Sequence, residues 1–204
     1  MPQRDIIIVI FGVIGCIFLR IIAGEGRGRR IRAPRGLNTR PTADRVREAL
    51  FNILASNLQE CRFLDLYAGS GGIGLEALSR GAGEVVFVEK NPEATAVIEK
   101  NIKETKLPGE KKVYRADVPA FIRSQSPTNP GFNIVFLDPP YKQGLEQRTL
   151  EAISGAPYVL KDKAVVVVES ARSIPPLERV GTMVLVRHRA YGDTALSFYR
   201  MEEA

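Results

Sequence analysis

Two cysteines and a single histidine in 204 residues leave little material for a disulfide framework or a protein-built metal centre. Cys16 and Cys61 form no C-x-x-C pair, so no metal is expected and a reducing compartment is. His188 stands between Arg187 and Arg189 and reads as a surface or turn residue, not a general base. The chain also lacks an apolar run long enough to cross a membrane. Ile6 to Leu19, IIIVIFGVIGCIFL, is 14 residues before Arg20 stops it, short of the roughly 20 that a spanning helix needs. Arg4 and Asp5 cancel ahead of that run and no small-residue cleavage site follows it, unlike a secretory signal. Residues 1–19 are therefore expected to be an apolar extension from an upstream start choice. The domain then opens at Arg20, with Leu19 as an alternative initiation codon. A membrane anchor or export signal is the competing reading.

What is present is an ordinary globular composition, 45% hydrophobic and 25% charged, with an uneven charge. The net +6 comes from one segment. Residues 20–47 hold nine arginines against Glu25 and Asp44, a surplus of +7, and no lysine; residues 48–204 sum to −1. Arginine's planar fork suits phosphates and base edges better than lysine's point charge does. Residues 20–41 are read as an arginine-studded hairpin or extended arm, with Arg27, Arg29, Arg30, Arg32 and Arg40 as candidate nucleic-acid contacts. A solvated basic arm without a partner is the bland alternative.

From residue 42 the chain reads as one domain to residue 204. Thr42 is a candidate N-cap, and Val46, Leu50, Ile53, Leu54 and Leu58 fall at helical spacing, so a helix is expected over 43–58. Strands at 62–67, 84–89, 112–115, 132–138 and 164–169 then alternate with helices near 72–80, 92–105, 118–124 and 145–154. Two last strands, 182–187 and 195–200, flank Gly192-Asp193. The implied fold is α/β and Rossmann-like, a mostly parallel seven-stranded sheet with helices on both faces and an antiparallel edge pair. Ligands of such sheets sit at the carboxyl ends of the strands, near the switch in strand order.

Two loops at those ends carry the chemistry. After the first strand of the domain, Asp65-Leu66-Tyr67-Ala68-Gly69-Ser70-Gly71-Gly72-Ile73-Gly74 contains G-x-G-x-x-G, whose glycines permit a tight turn and close approach to a ligand. Alone it serves dinucleotides and other adenosine cofactors alike. Glu89 ends the next strand, where it can accept from ribose hydroxyls or stand as a solvated acid. Asp65 suits an ammonium group better than a pyrophosphate, which it would repel. Asp117 can accept from an adenine amine or cap the following helix. With Tyr67, Gly69, Ser70 and Gly71, these acids describe S-adenosylmethionine more naturally than NAD. After the strand at 132–138 comes Asp138-Pro139-Pro140-Tyr141. Consecutive prolines remove two backbone donors, leaving a carboxylate and carbonyls as an acceptor-only cradle for an exocyclic NH₂. Tyr141 can stack on a base face, worth roughly 1–3 kcal/mol. The alternative is a rigid strand-to-helix turn, which explains the prolines alone.

Together, Arg20-Ile21-Ile22-Ala23-Gly24, Thr39-Arg40-Pro41-Thr42, Asp44 to Glu48, Phe51-Asn52, the Asp65–Arg80 stretch and Asp138–Tyr141 resemble the bacterial 16S rRNA guanine-N2 methyltransferases of the class I fold. The resemblance spans about residues 20–200. It implies methyl transfer from S-adenosylmethionine to a guanine N2 of the guanine-966 type in 16S rRNA, on the small ribosomal subunit or an assembly intermediate. A cytoplasmic, metal-free monomer without membrane association is expected. Gly69, Gly71, Glu89 and Asp117 carry over as cofactor contacts, and Asp138, Pro139 and Tyr141 as amine and base contacts. The rivals are an adenine-N6 methyltransferase, an NAD-dependent oxidoreductase and a non-catalytic RNA-binding module.

Overall fold

Val85, Val86, Phe87 and Val88 are consecutive and apolar, and such a strand is stable only where both faces of its sheet are covered. The computed structural model, which describes residues 18–33, 44–140 and 144–202, covers both. A mixed eight-stranded sheet is built from β3 (Arg62–Leu66), β4 (Glu84–Glu89), β5 (Glu110–Arg115), β6 (Phe132–Leu137), β7 (Leu160–Ala171), β8 (Arg179–Val180), β9 (Met183–Tyr191) and β10 (Thr194–Met201). Its spatial order is β5-β4-β3-β6-β7-β10-β9-β8. The first five strands run parallel and the last three antiparallel. The expected fold class is present with one strand more than the seven anticipated. Arg179–Val180 is two residues long, too short for any period-2 signal to show in the sequence.

On one face α1 (Asp44–Leu54), α2 (Gly72–Ser79) and α3 (Pro92–Thr105) bury Leu50, Phe51, Leu75, Leu78 and Ile98 against Phe63, Phe87, Phe136 and Val167. On the other, α4 (Val118–Arg123) and α5 (Leu145–Ser154) bury Phe121, Ile122, Leu150 and Ile153 against Leu66, Val88, Leu137 and Val168. The helix expected over 43–58 ends as an α-helix at Leu54 and continues as a 3₁₀ turn over Ala55–Asn57, while Leu58 still reaches the core. Its candidate cap Thr42, and the boundary between 41 and 42, lie outside the described residues.

The arginine segment is a hairpin, β1 (Phe18–Arg20) against β2 (Arg30–Arg32), and it is docked on the domain. Ile21 and Ile31 are buried in the same core as α1 to α3. The amides of Ile22 and Ala23 donate to Glu76, and that of Gly26 to the Ser79 hydroxyl. Asn101 accepts from the Arg32 amide and donates to its carbonyl. Gly24 fits because, at φ +81°, a Cβ there would lie 1.7 Å from the Ser79 carbonyl oxygen. Among the described residues no helix is long and apolar enough to cross a membrane. The apolar run read as an extension lies, through residue 17, outside them.

Candidate active site

Strand order reverses between β3 and β6, so the loops that leave these neighbours face one crevice. The glycine loop leaves β3 and Asp138-Pro139-Pro140 leaves β6, which brings the two candidate motifs together. Gly69 and Gly71 take φ +54° and +75°. A Cβ on Gly69 would meet nothing nearer than the Tyr67 carbonyl at 3.9 Å, leaving the loop backbone open to a ligand. Gly74 has a different task. A Cβ there would sit 2.3 Å from a ring carbon of Phe87, so this glycine lets α2 lie directly on β4. Gly74→Ala is expected to lower stability by about 1–3 kcal/mol through overpacking, read from the midpoint of urea unfolding at unchanged slope.

Alternation along the strands sets the acids. Phe63, Phe136 and Val167 point to the first face and Leu64, Leu137 and Val168 to the second, so Asp65, Asp138 and Glu169 project to the first face at the ends of three adjacent strands. Asp138 is partly exposed. Burial, then the charges of Glu169, Asp65 and Glu146, push its carboxyl well above the usual carboxylate range. Asp65 is buried beneath the loop, where it accepts from the Gly74 amide at 2.9 Å; burial raises it to about 8. A carboxyl held partly protonated in this way would give up its proton on meeting an ammonium group.

Glu89 is tied into the loop, with Oε2 accepting from the Gly69 amide at 3.0 Å and Oε1 from the Asn91 amide at 2.8 Å. Asp117 is exposed and caps α4, its Oδ1 accepting from the Ala120 amide at 3.1 Å. Tyr67 holds φ +60°, and its hydroxyl meets Thr149 Oγ1 at 2.7 Å, linking the end of β3 to α5. Such a conformation in a bulky residue costs about 1–3 kcal/mol and is typical of ligand-binding turns. Ser70 sits in the loop with its carbonyl held by Asn101. Tyr141 and Arg40 lie outside the described residues.

The hairpin arginines divide. Arg29 Nη1 donates to the Thr105 carbonyl, and Arg32 Nε to both oxygens of Glu104 at 3.2 and 3.0 Å, so these two fasten the hairpin to α3. Arg27 is exposed in the turn at the hairpin tip, and Arg30 is exposed on β2.

Sequence reasoning missed Glu169, although the signal was available: like Asp65, Glu89 and Asp138, it is an acid closing an apolar strand. It also missed the ionic cluster behind the loop, in which fully buried Glu76 accepts from Arg80 Nε at 2.7 Å while Arg47 Nε lies 3.9 Å away. Arg80 stands four residues from Glu76, a helical spacing visible in the sequence, whereas Arg47 is 29 residues away and spacing holds no trace of it. Among the described residues no group of three or more His, Cys, Asp and Glu is arranged to hold a metal ion. The arrangement is instead a crevice of hydrogen-bond acceptors over an open glycine loop, able to receive a cation and an amine side by side.

A family model described as conserved hypothetical protein 95 matches residues 19–200. Ribosomal RNA small subunit methyltransferase D of Escherichia coli (strain K12) is 35% identical over 186 residues, 90% of this chain and 90% of that protein. The protein of the same name from Haemophilus influenzae is 33% identical over 183 residues, 89% of this chain and 93% of that one. Among solved structures, a hypothetical protein of Thermus thermophilus matches with a TM-score of 0.73 at 30% identity, over 91% of this chain and 99% of that chain.

Proposed function

The chain belongs to the conserved hypothetical protein 95 family, and on that premise we propose that it is an S-adenosylmethionine-dependent methyltransferase acting on guanine N2 in the small-subunit 16S rRNA. The observation that carries the reading is the meeting of the open glycine loop with the Asp138-Pro139-Pro140 cradle at the switch in strand order. The names of the E. coli and H. influenzae relatives support ribosomal RNA of the small subunit as the substrate class.

When bound, S-adenosylmethionine supplies an electrophilic sulfonium methyl. The chain's own residues do the rest. Asp65, Gly69, Ser70, Gly71, Glu89 and Asp117 are the proposed cofactor contacts, with Tyr67 shaping the turn. Asp138 and the Pro139 carbonyl accept from the two N–H bonds of the amine, favouring the pyramidal nitrogen whose electron pair can form the N–C bond as the C–S bond breaks. One N2 proton then leaves toward the Asp138 carboxylate. Pro140 stiffens the cradle and Tyr141 stacks on the extruded base, an extrusion that costs a few kcal/mol and least at an unpaired site. Arg27, at the exposed tip, is the described arginine best placed to meet RNA phosphate.

The experiment is nucleoside mass analysis of 16S RNA from a strain lacking the gene. One N2-methylguanosine should disappear and return on complementation. Loss of an N6-methyladenosine instead would assign the cradle to adenine.

A further inference from the structure

β9 contains Arg187 and Arg189 and no acid. β8 pairs with it only at Met183 and Val184, so among the described residues the outer edge of β9 meets no strand from Leu185 onward. Both arginines are exposed, and among the described residues neither forms an ion pair or a side-chain hydrogen bond. Arg179 on β8, by contrast, is held by Glu202. A β-bulge sets the direction of the two. Leu185 opposes Tyr199 and Arg187 opposes Phe198, so Val186 is left over where the register shifts and stands 53% exposed. Residues directly opposite in an antiparallel pair share a face. Phe198 and Leu196 are buried in the first-face core, so their partners Arg187 and Arg189 extend that face outward, and Tyr191 beyond them packs against the same core. Without the extra residue, alternation would turn both arginines to the opposite face, where His188 now meets Ser197 Oγ at 3.0 Å.

The register also places these arginines relative to the crevice. Leu137 pairs with Val168, which puts Asp138 beside Glu169; Glu169 pairs with Leu196, and Leu196 with Arg189. Arg189 is therefore level with Asp138 and three strand spacings from it, about 15 Å. Arg187 follows two residues further along the strand, about 7 Å away. The hairpin of β1 and β2 docks on this same face, through Ile21 and Ile31.

We propose that Arg187 and Arg189 form an RNA-binding surface that grips phosphates of the nucleotides flanking the extruded guanine. The surface rests on the RNA reading above and adds to Arg27 a second, separate anchor. Two guanidinium forks spaced along one strand and without counter-ions suit a phosphate chain, and a position level with the cradle suits the chain that enters or leaves it. Charge at a sheet edge also blocks pairing with other chains. Lysine or glutamate serves that purpose equally, and it needs no bulge to turn both residues to the face of the crevice.

Filter binding of naked 16S transcript across a salt series tests this directly. Arg187→Gln combined with Arg189→Gln should weaken binding by about tenfold or more and lower the slope of log affinity against log salt by about 1.4–1.8, as expected for two phosphate contacts. Affinity for S-adenosylhomocysteine should stay within about twofold, which reports an intact domain. Arg187→Lys with Arg189→Lys should keep the slope, because the charges remain, and lose part of the affinity with the forks. An unchanged affinity and slope in the glutamine variant overturn the proposal. So does a loss seen with small ribosomal subunits and not with naked transcript, which would assign the surface to a ribosomal protein. A second measurement uses the unaltered protein. The transcript should protect Arg187 and Arg189 from phenylglyoxal, read by peptide mass spectrometry, and leave Arg123 on α4, across the sheet, as reactive as before. Equal modification of all three with and without RNA overturns the proposal without any variant having to fold. If the unaltered protein binds no 16S RNA, the substrate reading itself has failed, and this surface with it.

Discussion

Asp138→Ala is expected to reduce methyl transfer by at least about a thousandfold while leaving S-adenosylhomocysteine affinity within about threefold of the unaltered protein. In the proposed mechanism a carboxylate at this position accepts from the target amine, whose electron pair is otherwise delocalised into the ring, so its removal should fall on the transition state and not on cofactor binding. The Pro139 carbonyl can accept one N–H but cannot take up a proton, so it cannot replace the carboxylate. The same side chain sets a pH dependence. Only the ionised form can take up the proton that the amine gives up, and burial with Glu169 alongside holds Asp138 well above the usual carboxylate range. The rate should therefore fall on acidification at a higher pH than an ordinary aspartate would dictate. Single-turnover transfer across pH, with calorimetry on the variant, checks both points. Parallel loss of transfer and cofactor binding would move Asp138 from the amine to the cofactor.

The largest expected effect on stability is at Glu76. Its fully buried carboxylate accepts from the Ile22 and Ala23 amides and from Arg80, and it lies against Arg47. Truncation to alanine would strip two amides and Arg80 of their acceptor at once and take from Arg47 one of its two neighbouring carboxylates. Removing one partner of a buried ionic cluster costs about 3–5 kcal/mol, because the remaining charges stay buried and uncompensated. For a domain of this size that is roughly a 10 °C fall in melting temperature. Arg80→Ala should cost less, since Arg80 is partly exposed and stacks over the Phe51 ring at 4.9 Å. Thermal unfolding followed by far-UV circular dichroism reads both variants. A fall under about 3 °C for Glu76→Ala would mean that the hairpin is held by Ile21 and Ile31 alone.

Where periodicity is strong, the elements were legible in the residues. Glu84–Glu89, Pro92–Thr105 and Leu145–Ser154 match their expected limits, the second because Asn91 caps it by accepting from Glu93 and Ala94 amides ahead of Pro92. The last strands run longer than their apolar pattern. Arg187 and Arg189 interrupt the hydrophobic count of β9, although the ladder to β10 continues through them. The two candidate loops were legible because each follows a strand and local chemistry defines it. Longer-range partners were not. A run of arginines carries no mark of which will meet Glu104 and Thr105 on α3, and Arg47 reads as an ordinary helical residue until the hairpin and α2 close over it. Tertiary contacts between segments tens of residues apart decide these roles, and neither composition nor spacing encodes them.

The product of the reaction is the most direct test of the proposed methyl transfer. Purified protein, S-adenosylmethionine with a labelled methyl group, and small ribosomal subunits from cells lacking the gene should yield label in N2-methylguanosine at one site of the 16S RNA. Asp138→Ala should yield none. Label in N6-methyladenosine, or no label in RNA from either subunits or naked 16S transcript, would contradict the central claim.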